Sequence, residues 1–284
     1  GFYLDNTTNA QTDASGEGHN WTNTGSVTTN PHSPTNSYPV QNPLTLTNSY
    51  PSSLANGNLK QTGNSAGSFA SGTLATLPCD GGGKFYWEIK VVSMYTTNGY
   101  SSIGVAPMDL PRFDNTDGNG NFCLPGQQDY QGVSTTFNTG TLTNLRGNSL
   151  AVNSNIGSAY AVSTGAFMQI AFDSATQKVW FGKNNTWYNS GDPAAGSNET
   201  ITLTATDKTW FPWIGTYTAS DIFELNYGAT DFEYTPPTGF NSLNTTQLAS
   251  DTTRTASDTT KYFETILYEG NGQGQRVGQF QPFG

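Results

Sequence analysis

Phe85-Tyr86-Trp87-Glu88-Ile89-Lys90-Val91 decides the fold. Phe85, Trp87, Ile89 and Val91 are apolar, and Tyr86, Glu88 and Lys90 stand between them. Successive side chains of a strand point to opposite faces, so this run predicts a strand with one buried face and one wet face.

The surrounding sequence repeats the pattern. Phe167-Met168-Gln169-Ile170-Ala171-Phe172-Asp173 alternates in the same way, Ser174-Ala175-Thr176-Gln177 supplies a turn, and Lys178-Val179-Trp180-Phe181-Gly182 follows. Two strands joined by a short turn make a hairpin. A second pair is expected at Trp210 to Gly215 and Ile222 to Gly228, with Phe223, Leu225 and Tyr227 facing inward. Short apolar runs separated by turn residues from about Leu54 to Tyr234 predict an all-β, antiparallel sandwich.

Composition agrees with that class. Only 11% of the 284 residues are charged, against about 25% in an ordinary soluble domain. Asn, Thr, Ser and Gly take their place, favouring strands and tight turns over helix. Eleven Lys and Arg against 21 Asp and Glu give a formal charge of −10, which repels a phosphate backbone and argues against nucleic acid as partner. No run approaches the roughly 20 apolar residues of a membrane span. The opening Gly1-Phe2-Tyr3-Leu4-Asp5 is neither an initiator Met nor a signal peptide, so an excerpt or processed product is expected.

The chain divides by pattern into a polar lead-in (1–50) with isolated anchors such as Trp21, the sandwich (51–240), a polar linker (241–260), and the start of a further β-rich segment (261–284). Cys79 and Cys123 are the only cysteines. So distant a pair is no dense disulfide framework, and buried thiols are the simpler reading, although pairing stays open.

Several of these stretches resemble a known family. Gly83-Lys84-Phe85-Tyr86-Trp87-Glu88-Ile89-Lys90-Val91 is similar to the opening strand of SPRY domains, and Ser102-Ile103-Gly104-Val105-Ala106 to their second. The hairpin at 167–182 resembles the central SPRY pattern, and Leu225-Asn226-Tyr227-Gly228 the closing strand. Four motifs in order are more specific than any one alone. Gly165-Ala166-Phe167 departs from the usual Gly-Asp, and Asn185 stands where Gly is common.

The edges give a narrower likeness. Gly1 to Asp5, Ser15 to Thr22, Leu54 to Leu59, and Phe263 to Gly272 with Phe280-Gln281-Pro282 resemble segments flanking SPRY modules in bacteriophage tail-fibre-like proteins. That resemblance implies a SPRY-like, concanavalin-type sandwich on a virion appendage, outside the host cell. It further implies a homotrimer that touches neighbouring virion subunits and binds a host-surface glycan or protein. Two other roles remain open: a decorating or fibre-spacing part without receptor contact, and a peptide-gripping SPRY module.

Binding on such a scaffold would fall to its loops. Tyr95 and Tyr100 lie on one connection, Phe113 and Tyr130 on the long stretch from 107 to 133, and Trp187 and Tyr188 just after the central hairpin. Aromatic rings beside amides suit stacking on sugars, yet each ring can equally pin its own loop. Trp187 either presents a contact or tucks beneath its turn.

Chemistry finds little support. Asn115 to Gly120 imitates a calcium loop, but Gly126 stands where the bidentate Glu belongs, and Asp13 to Gly18 fails similarly at Thr24. His19 and His32 have no ligand spacing, so no metal or cofactor is expected. Asp231 and Glu233 form the one same-face acidic pair, poorly placed beside Pro236-Pro237. No nucleophile elbow or phosphate loop occurs, so a non-enzymatic chain is expected. The Asn-x-Ser/Thr sequons at Asn6, Asn20, Asn184, Asn198 and Asn244 are what an Asn- and Thr-rich chain produces by chance.

Overall fold

The computed structural model describes residues 12–13, 15–22, 36–46, 51–64, 71–95, 101–108, 133–136, 141–143, 154–155, 162–204 and 208–247. The chain divides into two units, Gly1–Ala249 and Ser250–Gly284, and every described residue belongs to the first. The segment at 261–284 lies outside the described residues.

The described strands are β1 (Ser53–Ala55), β2 (Lys60–Thr62), β3 (Ser71–Leu74), β4 (Lys84–Ser93), β5 (Ser102–Pro107), β6 (Val133–Thr136), β7 (Thr141–Thr143) and β8 (Ser154–Asn155). They continue with β9 (Phe167–Asp173), β10 (Lys178–Lys183), β11 (Thr186–Trp187), β12 (Ile201–Thr202), β13 (Trp210–Thr216), β14 (Ile222–Asn226) and β15 (Asn241–Ser242). Helix among the described residues amounts to short 3-10 turns at Pro43–Thr45 and Tyr188–Ser190. The all-β antiparallel sandwich expected from the sequence is what forms.

A nine-stranded sheet runs β1-β2-β14-β4-β9-β10-β11, with β12 on β10 and β15 on β4, and a six-stranded sheet runs β3-β13-β5-β6-β7-β8. Phe85, Trp87, Ile89 and Val91 of β4 are all fully buried, together with Ile170 and Phe172 of β9 and Phe223 of β14. They meet Ile103, Val105, Trp210 and Ile214 from the second sheet in one apolar cluster. Each such side chain contributes roughly 1.5–3 kcal/mol by leaving water.

The central hairpin pairs as its sequence implies, from Lys178 opposite Asp173 to Lys183 opposite Met168. Asp173 Oδ1 accepts the amides of Ala175 (3.0 Å) and Thr176 (3.2 Å), so the carboxylate itself shapes the turn. At the far tip Asn184 and Asn185 take φ of 47° and 62°. Asn tolerates this left-handed region better than other side-chain-bearing residues, so the turn forms without a glycine at 185.

The outer face of β4 is wet at Lys90, which is exposed, but not at Tyr86 and Glu88, and the physical reason is the segment after β14. Residues 227–240 cross that face before β15 pairs in parallel with β4, Asn241 opposite Phe85 and Ser242 opposite Tyr86. Tyr86 and Glu88 are consequently buried, at 0% and 2% exposure. Tyr86, Ala171, Trp180 and Phe240 form a second apolar cluster there, with Phe232 and Trp187 packed against it.

Residues on both sides of 51–240 pack against the sandwich. Residues 241–247, expected to begin a linker, pack with Leu243 at 0% and Asn244 at 4% exposure. Thr245 and Ser37 exchange hydrogen bonds, Thr245 N to Ser37 O and Ser37 N to Thr245 Oγ1, each 2.9 Å. Gln41 bridges to Ala75 beyond the end of β3. A buried hydrogen-bonded chain continues from it. Tyr227 Oη donates to Gln41 Oε1 (2.7 Å), Gln41 Nε2 to Thr73 Oγ1, and Thr73 Oγ1 to Gln61 Oε1 (2.8 Å). Gln61 Nε2 then donates to Ser52 Oγ (3.3 Å), which shares a 2.6 Å bond with Thr216 Oγ1. Each side chain in this row is partnered, as burial demands.

Candidate binding surface

β4, β13 and β3 define two ends of the sandwich, since Ser71 pairs with Thr216, Ser102 with Gly215, and Ile222 with Ser93 at one of them. Tyr95 and Tyr217 emerge at this end, on the β4–β5 and β13–β14 connections. Met94 is still buried at 7%, whereas Tyr95 is 39% exposed, so the chain turns outward between them.

One carboxylate holds both connections. Asp221, at 1% exposure, accepts the Tyr95 amide at Oδ1 (2.6 Å). Its Oδ2 accepts the Ser101 hydroxyl (2.8 Å) and the amides of Tyr217 (2.9 Å) and Thr218 (2.7 Å). Charge-assisted bonds of this kind are about twice as strong as neutral ones, and together they offset the cost of burying the charge. The neighbouring β2–β3 segment is tied in by Gly63, whose amide donates to Asp221 O at 2.9 Å. A side chain at Gly63 would place Cβ only 2.0 Å from Thr218 O, so the close approach needs glycine.

The Tyr95 and Tyr217 rings stand 6.2 Å apart, tilted by 49°. Their backbones are fixed by a shared buried anion, so the rings are pre-positioned at an otherwise polar rim. Such an arrangement can offer stacking and hydrogen bonding.

The other candidate rings do not converge on this point. Trp187 is half-buried across the nine-stranded sheet, its ring centroid 6.4 Å from that of Tyr86 in an edge contact. It lies over its cross-strand partner Gly182, where a Cβ would come within 3.0 Å of the indole. Tyr188 turns the other way and packs against the inter-sheet core. Tyr100, Phe113 and Tyr130 lie outside the described residues. The connection carrying Phe113 and Tyr130 leaves from Pro107 and returns at Val133; Pro107 pairs with Trp210, at the end opposite Tyr95.

Tyr217, Ser101 and Asp221 were not singled out from the sequence. The signal was Thr218-Ala219-Ser220-Asp221 directly before a strand, a turn composition. What the sequence does not carry is that the Asp side chain points inward to other loops.

No group of three or more His, Cys, Asp or Glu among the described residues is placed to hold a metal. Asn115 to Gly120 lie outside those residues. The Asp13 carboxylate is occupied by its own turn, accepting Ser15 N (2.9 Å), Ser15 Oγ (2.7 Å) and His19 N (3.1 Å). Asp231 and Glu233 are exposed on the segment crossing β4. Cys79 is a buried free thiol, pushed up in pKa by burial and then by nearby Asp80, and Cys123 lies outside the described residues.

No protein-family model and no curated protein matches the chain. Among solved structures it is similar to the SPRY domain of human HERC1, with 16% identity, a TM-score of 0.45, and coverage of 69% of this chain and 99% of that one. It is also similar to a human SPRY domain, with 16% identity, a TM-score of 0.44, and coverage of 63% and 97%.

Proposed function

We propose that this chain is a non-enzymatic binding module of a virion appendage of the tail-fibre type, which engages a glycan or protein on the host surface. The observation that carries the binding role is the Asp221 knot, which fixes two aromatic rings from separate connections at one end of a rigid sandwich. A carboxylate saturated by four donors is spent on loop positioning, which fits recognition rather than acid–base chemistry. The virion setting rests on the resemblance of the flanking segments to those of tail-fibre-like proteins, and repetition in a trimer would raise weak contacts to useful avidity.

Adsorption of the full chain to a panel of bacterial strains tests the reading, with Tyr95→Ala beside it. Retention on some strains, reduced about tenfold or more by the substitution, supports it. Absence of adsorption to every strain would instead favour a fibre-spacing or decorating part.

A further inference from the structure

Two strands from different sheets reach the rim, and one buried hydroxyl joins them. Tyr217 follows Thr216, the last residue of β13, whose Oγ1 shares a 2.6 Å bond with Ser52 Oγ. From the other sheet, the Gly63 amide just past β2 donates to Asp221 O at 2.9 Å. Gly63 stands two residues after Gln61, whose Nε2 donates to the same Ser52 Oγ at 3.3 Å. Ser52 is 4% exposed, and Gln61 and Thr216 are both at 0%. The Ser52 amide donates in turn to Ser71 Oγ at 3.0 Å, which fixes the residue that carries the hydroxyl.

Apolar packing between sheets is non-directional and tolerates a small slip of one strand against another. A buried hydrogen bond does not, because it weakens steeply with angle and leaves its groups unpaired when broken. The rim has no room for such a slip. Tyr217 N and Thr218 N lie 2.9 and 2.7 Å from Asp221 Oδ2, and Tyr95 N lies 2.6 Å from Oδ1. A Cβ at Gly63 would stand 2.0 Å from Thr218 O and 3.2 Å from Thr216 Cβ, so β2 and residues 216–218 fit in one placement. Ser52 is the side chain that bonds to both, and a fully satisfied buried network of this kind specifies a unique arrangement.

We propose that Ser52 is a positioning residue for the Tyr95–Tyr217 rim, its hydroxyl holding β2 and β13 where the Asp221 carboxylate reaches both connections. The proposal rests on the binding reading above and names what places its rings.

Hydrogen exchange on the full chain reads that placement without a ligand. In Ser52→Ala the amides of Gly63, Tyr95, Tyr217 and Thr218 are expected to exchange about tenfold or more faster, with those of the central hairpin changed less than about twofold. Thr216→Val removes the same bond from its other partner and should reproduce the pattern, which also serves if Ser52→Ala fails to fold. Tyr86→Phe removes a buried hydroxyl on the strap side and should leave the rim amides at parent rates. Adsorption to the strains that the parent binds should fall about tenfold in Ser52→Ala, and Ser52→Ala added to Tyr95→Ala should cost nothing more.

Rim amides that exchange at parent rates, or in step with the hairpin, overturn the proposal whatever the cells show. Undiminished adsorption of Ser52→Ala beside a loss with Tyr95→Ala overturns it too. Rim amides that accelerate in a chain whose parent adsorbs to no strain uphold Ser52 as the positioning residue and overturn the binding reading alone.

Discussion

The phenol of Tyr86 donates to Glu88 Oε1 at 2.6 Å, two positions along the same strand on a face that the strand's own pattern marks as wet. Glu88 also accepts the amides of Glu233 (2.7 Å) and Tyr234 (2.9 Å), and Tyr86 accepts from Gln169 Nε2 (2.9 Å). The carboxylate therefore fastens the segment after β14 onto the outside of the sheet.

Removing that fastening is expected to be costly. Glu88→Ala leaves the Tyr86 hydroxyl and two strap amides without their acceptor, a loss of about 3–5 kcal/mol. Urea denaturation gives the magnitude. Hydrogen exchange should show the amides of Glu233 and Tyr234 losing protection ahead of the central hairpin.

Asp221→Ala should act on the rim more than on the core. Tyr95 N, Ser101 Oγ and Thr218 N lose this acceptor, Tyr217 N keeps only Ser101 Oγ (3.0 Å), at about 2–4 kcal/mol in all, and Tyr95 and Tyr217 lose their common anchor. Ligand or cell binding should fall to the level of Tyr95→Ala in a chain that stays folded by circular dichroism. Unchanged binding would show that the rings need no such support.

Two glycines under indoles rank in a testable order. A Cβ at Gly72 would sit 1.9 Å from the Trp213 ring, and one at Gly182 would sit 3.0 Å from the Trp187 ring. Trp213 is buried at 1%, whereas Trp187 is only half-buried and can give way. Gly72→Ala should cost about 2–3 kcal/mol and Gly182→Ala about 1 kcal/mol or less, by thermal or urea unfolding.

Alkaline pH should destabilise the fold. Burial, followed by the hydrogen bond to Glu88, raises the Tyr86 phenol, and burial raises Tyr227 and Cys79. The unfolded chain releases these protons near pH 8.5 for the thiol and near 10 for the phenols, whereas the folded chain keeps them. Stability is therefore complete below about pH 8.5 and falls as pH rises toward the folded values, by up to about 1.4 kcal/mol per pH unit and group. Cys79→Ala should flatten the earliest part of that decline in denaturation midpoints measured from about pH 7 to 10.5.

The strand at 84–93, the hairpin at 167–183 and the inward set Phe223, Leu225 and Tyr227 were legible because period-2 alternation reports a buried face directly. Alternation says nothing of what covers the other face. Tyr86 and Glu88 look like solvent-facing residues until a strap returns over them, and its short Asp231-Phe232-Glu233-Tyr234 alternation does not say which strand it covers. The rim was half legible. Tyr95 was marked by its place after a strand, but Asp221 contacts residues up to 126 positions away, a separation no local pattern encodes.

The bonded chain through Gln41, Thr73, Gln61, Ser52 and Thr216 bears on where this protein can be cut. Trimming to 51–240, the limits that hydrophobic patterning suggests, would delete Gln41 and leave the Tyr227 hydroxyl and Thr73 facing an empty slot between the sheets. It would also discard Leu243 and the clasp between Ser37 and Thr245. An expression fragment should start before residue 36 and run past 247, so that the stretches outside the obvious strands enter folding as fasteners between the two sheets rather than as tails.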